Sequence, residues 1–129
     1  MTFKPGYISL VRFPRANLES GKYRPVLLVS KMPGPFADWL ICGITSQLRH
    51  EVEGWDEVIK RTDHDFKTSG LKVPSLIRLG KLATVEEEVL ESVLGEISPE
   101  RLMRILKRLL DHLERVSRGN RVLGEGCDE

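Results

Sequence analysis

Tyr23 to Ser30, Tyr-Arg-Pro-Val-Leu-Leu-Val-Ser, is the stretch that most limits the folds open to this chain. Val26 to Val29 form a short continuous apolar run, the pattern of a strand covered on both faces rather than one with a wet side. Pro25 lacks the N–H that an interior ladder position must donate, so it belongs at the opening of that strand or on an edge. Arg24 then stands where a rigid sheet begins, aimed by framework rather than by a loop. A second strand, Leu40-Ile41-Cys42-Gly43-Ile44, runs into the polar cluster Thr45-Ser46-Gln47. If the two strands pair antiparallel, the start of the first lies beside the end of the second, and Arg24 and Thr45 face one small patch.

The flanking sequence supports a small β domain. Gly6 to Phe13 alternates as a first strand that Pro14 stops, and the polar stretch Arg15 to Lys22 connects it to the second and brings Glu19 near Arg24. Pro33, Gly34 and Pro35 break the chain before the strand from Trp39 to Thr45. A short strand is expected near Asp56 to Lys60, a loop over Thr62 to Gly70, and a further strand over Leu71 to Leu79, whose end sets Arg78 and Gly80 opposite the leucines. Thr84-Val85-Glu86-Glu87 has capping-box spacing and predicts a helical turn, while Leu90 to Ile97 reads either as its continuation or as a last strand. Ser98-Pro99-Glu100 is a clear helix start. Leu102, Leu106, Leu109, Leu113 and Val116 then repeat at helical intervals, predicting an amphipathic helix to about Val116 packed on the sheet or on a partner subunit. The expected architecture is mainly β with appended helices (α+β), a small barrel with a C-terminal amphipathic helix in one domain over 1–116, followed by a flexible tail over 117–129.

At 129 residues, with 40% hydrophobic and 30% charged residues, one core is affordable and two are not. The net charge of +1 advertises no uniformly basic surface, but its distribution is uneven. Lys4, Arg12, Arg15, Lys22, Arg24, Lys31 and Arg49 face only Glu19 and Asp38 in the first part of the chain, whereas Glu86, Glu87, Glu88, Glu91, Glu96 and Glu100 cluster later. The cationic half carries the Arg24 patch. Cys42, within an apolar strand, reads as a small buried hydrophobe, and it is an improbable disulfide partner for Cys127. The N-terminus has no signal pattern and no apolar run approaches bilayer length, so a cytoplasmic protein without membrane contact is expected. His50, His64 and His112 are scattered, Asp63-His64-Asp65 reads as a solvated polar loop, and no phosphate-loop or dinucleotide fingerprint occurs. No metal and no cofactor is expected.

Several segments, in order, carry a resemblance: Gly6 to Pro14, Arg24 to Ser30, Ile44 to Gln47, Ser69-Gly-Leu71 with Pro74-Ser75, Ile77-Arg78-Leu79, Lys81 to Thr84, and Leu94-Gly95 with Ile97-Ser98. Over about residues 5 to 116 the chain resembles the MazF/PemK toxin family, ribosome-independent endoribonucleases of type II toxin–antitoxin modules. The resemblance implies an SH3-like barrel, a homodimer whose interface helps shape an RNA groove, and a MazE-like antitoxin whose disordered segment occupies that groove. It also implies that Arg24 is the catalytic arginine, Thr45 the catalytic hydroxyl residue, Glu19 an acidic loop residue linked with activity, and Arg78 an arginine that some relatives use as a general acid. Two departures stand out: Gly80 occupies the place of an aspartate in those relatives, and Leu18 that of a loop histidine.

The chemistry of the patch agrees with this reading. Metal-free cleavage of single-stranded RNA uses the substrate's own 2′-hydroxyl, so the protein must orient it, stabilise charge on phosphorus and move two protons. The planar fork of Arg24 suits phosphate oxygens, Thr45 suits a hydrogen bond to phosphate or the 2′-hydroxyl, and Glu19 suits a base. Ser46, Gln47 and Arg78 are placed to contact RNA phosphate or splayed bases. Two other readings compete: a CcdB-like toxin that inhibits a topoisomerase by protein contact, and a catalytically silent RNA-binding barrel.

Overall fold

The computed structural model describes residues 2–12 and 23–126, with side chains to residue 119. Glu19 and Leu18 lie outside the described residues. Among the described residues, six strands, β1 (Tyr7–Arg12), β2 (Tyr23–Lys31), β3 (Asp38–Thr45), β4 (Glu57–Ile59), β5 (Ser75–Glu86) and β6 (Leu90–Glu96), are joined by a one-turn helix α1 (Phe66–Ser69) and followed by a long helix α2 (Pro99–Gly126). The strands form one antiparallel sheet in the order β4-β5-β3-β2-β1-β6. The chain is mainly β with appended helices, as the pattern of strands and breakers predicts.

The apolar run of β2 is explained by two cores on opposite faces of the sheet. Leu27 and Val29 join Ile8, Cys42, Ile44, Ile77 and Leu79 beneath α2, which contributes Ile105 with Leu102, Leu106 and Leu109 packed alongside. Val26 and Leu28 point the other way, into a cluster with Val11, Trp39, Ile41 and Leu90. Alternate side chains of one strand thus serve both layers, each fully buried residue contributing roughly 1.5–3 kcal/mol. Pro25 falls just before the β2–β3 ladder begins at Val26, where its missing donor costs nothing.

The two edges of the sheet are drawn together by α1. A side chain at Gly95 on β6 would place its Cβ 2.0 Å from the Thr68 carbonyl oxygen, and one at Gly70 would sit 2.2 Å from that of Leu94. Gly70 also adopts φ +77°, the left-handed geometry that ends α1. These two glycines let the segment after β4 lie directly against β6, which gives the sheet its barrel-like curl.

An ion-pair cluster ties α2 to this closure. Arg101 donates from Nε to Asp65 Oδ2 (2.8 Å), from Nη1 to Glu57 Oε1 (2.8 Å) and from Nη2 to Asp63 Oδ2 (3.0 Å). Asp65 also accepts the Ser98 N–H at 3.0 Å, while Ser98 Oγ caps α2 by accepting the Arg101 N–H at 3.1 Å. Burial alone would raise the Asp65 carboxyl, but the hydrogen bonds from Arg101 and Ser98 and the guanidinium charge outweigh it and hold the pKa at about 2. Asp63-His64-Asp65 is therefore not simply a solvated loop: Asp65 is 2% exposed and anchors the helix, with only His64 turned to solvent.

Three further expectations are corrected. The Thr62 to Gly70 loop contains α1. The capping box at Thr84 does not start a helix, because Thr84 and Val85 pair with Leu40 and Trp39 and β5 runs on to Glu86 before a 3₁₀ turn at Glu87–Val89. Here the sheet's ladder outcompetes the local cap, and Glu87 instead accepts the Trp39 indole N–H at 2.9 Å. Helix α2 extends to Gly126, well past Val116 where the regular apolar repeat stops.

Candidate active site

Three strands bring the site residues to one face. Val26 of β2 pairs with Gly43 of β3, and Gly43 pairs on its other side with Arg78 of β5. Arg24 and Thr45 each stand two residues along from that Val26–Gly43 pair, in opposite chain directions, so strand alternation gives all three polar side chains the same face. Gly43 has no side chain to fill the space between them, and a Cβ there would approach the Cβ of Lys81 to 3.3 Å.

The result is a cavity of about 600 Å³ whose lining includes Arg24, Gly43, Thr45, Gln47, His50, Arg78, Gly80 and Lys81. Arg24, Thr45 and Gln47 also line a neighbouring cavity of about 450 Å³, shared with Tyr23, Ser46, Gly70, Leu71 and Lys72. The expected residues Arg24, Thr45, Ser46, Gln47 and Arg78 thus occupy one continuous stretch of surface. Arg78 lies on one side of the Arg24/Thr45 wall and Ser46 on the other. Among the described residues, the two cavities have no carboxylate in their lining, and the cations make both suited to a polyanion. A further cavity of about 630 Å³, bounded by Phe3, Phe36, Asp38 and Glu86 to Glu88, has the wrong sign for phosphate.

The end of β3 organises the polar groups. Thr45 Oγ1 accepts the Gln47 N–H at 3.1 Å, a tight side-chain turn that leaves the hydroxyl hydrogen available to a ligand. Leu48–His50 then form a 3₁₀ turn, closed by the His50 N–H to Gln47 carbonyl bond at 3.1 Å, and the Arg49 guanidinium donates to Gln47 Oε1.

On β5, one step along β3 from Gly43 to Cys42 corresponds to a jump from Arg78 to Leu82. The intervening bulge carries Gly80 and Lys81 to the cavity wall. Gly80 therefore does occupy the site, where it contributes no side-chain acid or base. A Cβ at Gly80 would meet only Trp55 Nε1, at 3.5 Å, so the glycine is not required by crowding.

Cys42, on the opposite face beneath α2, plays no part. Burial, reinforced by the negative charge of Asp56, pushes its thiol up to about 12. Among the described residues, no group of three or more His, Cys, Asp or Glu side chains is arranged to hold a metal ion. The sequence reading missed His50, Lys72 and Lys81. The turn after β3 brings His50, the β5 bulge brings Lys81, and the segment between α1 and β5 brings Lys72, none of them visible in apolar periodicity.

A family profile described as PemK-like, MazF-like toxin of type II toxin-antitoxin system matches residues 4–113, which includes every strand and the first half of α2. The chain belongs to this family of toxins. Among solved structures, this family member is similar to an endoribonuclease in complex with its cognate antitoxin from a mycobacterial species, with TM-score 0.64 and 16% identity over 88% of this chain and 96% of that one. It is also similar to the Mycobacterium tuberculosis toxin MazF-mt6, with TM-score 0.59 and 15% identity over 84% and 96% of the respective chains. At such identity the neighbours share the fold. No curated protein matches the chain at a significant level. Among the described residues of this PemK-like chain, no helix is long and apolar enough to cross a membrane.

Proposed function

We propose that this toxin is a sequence-selective endoribonuclease that cleaves single-stranded RNA, mRNA included, without a metal cofactor. The observation that carries the proposal is the convergence of Arg24, Thr45 and Arg78 on one cation-lined cavity around Gly43. In this reading the 2′-oxygen attacks the adjacent phosphorus, the bond from phosphorus to the 5′-oxygen breaks, and a 2′,3′-cyclic phosphate is left. Arg24 stabilises charge on the nonbridging oxygens, a contact whose loss typically costs about 3 kcal/mol, or roughly a hundredfold in rate. Thr45 donates its free hydroxyl hydrogen to phosphate, and Glu19 takes the proton of the 2′-hydroxyl. Arg78, Ser46 and Gln47 hold phosphates or splayed bases on either side of the cut, in the two adjoining cavities.

The proposal extends to a homodimer and to an antitoxin that occupies the same cationic surface. The dimer is supported by α2, where Met103, Leu110 and Leu113 are each more than 60% exposed. An antitoxin partner is supported by the neighbour that was solved with one.

Purified protein incubated with RNA in EDTA, with the new 5′ ends mapped, tests the central reading. Arg24→Ala and Thr45→Ala should each reduce cleavage by about a hundredfold or more while leaving thermal melting unchanged. Wild-type rates from both variants would refute the site. RNA bound but left intact by the wild-type protein would favour a silent binding barrel, the alternative that Gly80 in the cavity wall supports.

A further inference from the structure

We infer that His50 is the general acid of this site, the group that protonates the departing 5′-oxygen. The inference rests on the ribonuclease reading above. It answers a question which that reading leaves open, because a 5′-alkoxide is a poor leaving group without a proton and Gly80, in the cavity wall two residues after Arg78, offers no donor.

The cavity lining narrows the donor by chemistry. Among the described residues, the polar ones lining it are Arg24 from β2, Thr45 from β3, Gln47 and His50 from the turn that follows, and Arg78 and Lys81 from β5. Guanidinium groups hold their protons too tightly to transfer them near neutrality, and lysine ordinarily does so as well. Threonine and glutamine do not titrate. Histidine alone has an ordinary pKa in the range where a side chain can be protonated before the step and neutral after it.

His50 is positioned by backbone as well as by chemistry. It ends the 3₁₀ turn that starts just after the Thr45 hydroxyl turn, and its N–H is fixed to the Gln47 carbonyl. Its side chain is exposed and lines the cavity on the same side as Arg78. Among the described residues, the charged groups that line the cavity with it are cationic, Arg24, Arg78 and Lys81, and its neighbours in sequence are Arg49 and Glu51.

The step balances as follows. The 2′-hydroxyl proton passes to the base, the role proposed for Glu19. The 2′-oxygen forms a bond to phosphorus while the bond to the 5′-oxygen breaks, and the imidazolium of His50 gives its Nε2 or Nδ1 proton to that oxygen, ending as neutral imidazole. No redox partner or further reactant is needed.

The test uses the full chain under single-turnover conditions in EDTA from pH 5.5 to 8.5, on an RNA containing a site that the wild-type protein cuts. A matched RNA carries sulfur in place of the bridging 5′-oxygen, so that the leaving thiolate needs no proton. His50→Gln should slow the ordinary RNA by about a hundredfold and lose the fall in rate toward high pH. On the sulfur substrate it should stay within about threefold of wild type, a rescue expected only if the histidine acts as the acid. Melting curves of the variant should match wild type, since the side chain is outside both cores. A pH profile for His50→Gln superimposable on wild type, or an equal defect on both substrates, overturns the inference. Failure of the underlying ribonuclease reading looks different: neither RNA is then cut by the wild-type protein.

Discussion

Replacing Arg101 by Met removes the centre of the cluster that joins α2 to β4 and α1, and its cost can be worked from the partners left behind. Glu57 keeps Arg108 at 2.9 Å and Arg104 at 3.1 Å. Asp65, 2% exposed, loses the Arg101 guanidinium and retains the Ser98 N–H. An uncompensated buried carboxylate of this kind costs about 3–5 kcal/mol, a large part of the roughly 5–15 kcal/mol that holds a domain together. For a chain of this length that corresponds to a fall in Tm of roughly 10–18 °C. Calorimetry and urea titration at pH 7 measure both quantities. Asp65→Asn combined with Arg101→Met removes the orphan charge and should recover more than half of the loss. The pH dependence gives an independent check. Because the folded pKa of Asp65 is lowered to about 2, its contribution is complete above the ordinary carboxylate value and drains away as pH falls from about 4 toward 2. That acid-sensitive portion, about 2 kcal/mol, should be missing in Asp65→Asn. An Arg101→Met cost below about 1 kcal/mol, or a double variant no more stable than the single one, would refute the argument that Asp65 depends on its guanidinium.

Gly95→Ala should destabilise the fold by several kcal/mol, because its Cβ would fall 2.0 Å from the Thr68 carbonyl oxygen, whereas Gly54→Ala, with open space around it, should lose only about 1 kcal/mol to its positive φ; chemical denaturation of both separates crowding from backbone strain. Leu110→Glu with Leu113→Glu should halve the mass measured by light scattering if α2 forms the proposed dimer contact, and an unchanged mass assigns that contact elsewhere. Arg24→Lys keeps the charge but loses the planar fork, so its cleavage rate should stay closer to that of Arg24→Ala than to wild type.

Much of this architecture is legible in the residues because it depends on local periodicity and punctuation. The Val26 to Val29 run announces a strand buried on both faces, and Ser98-Pro99 announces the start of α2; both are present, with Ser98 acting as the cap. Arg24 and Thr45 could be brought together before any coordinates because antiparallel pairing of adjacent strands sets one strand's start beside the other's end. Thr84 to Glu87 shows the limit of such reasoning, since its capping spacing is real but the ladder to β3 provides better partners for the same backbone.

By itself, then, the sequence determined the first three strands, the capped start of α2 and the Arg24/Thr45 pairing, because each follows from neighbours along the chain or from one hairpin-like register. It left Leu90 to Ile97 open between helix and strand and misplaced the fifth strand. Only the tertiary structure decided that Gly43 opens a cavity between β2 and β5, that a bulge delivers Gly80 and Lys81 to its wall, and that His50 reaches it from the turn after β3. It alone made Asp65 a buried anchor for Arg101 rather than a loop charge. These contacts join segments far apart in sequence, where side-chain identity carries no information about distance until the sheet has closed around them.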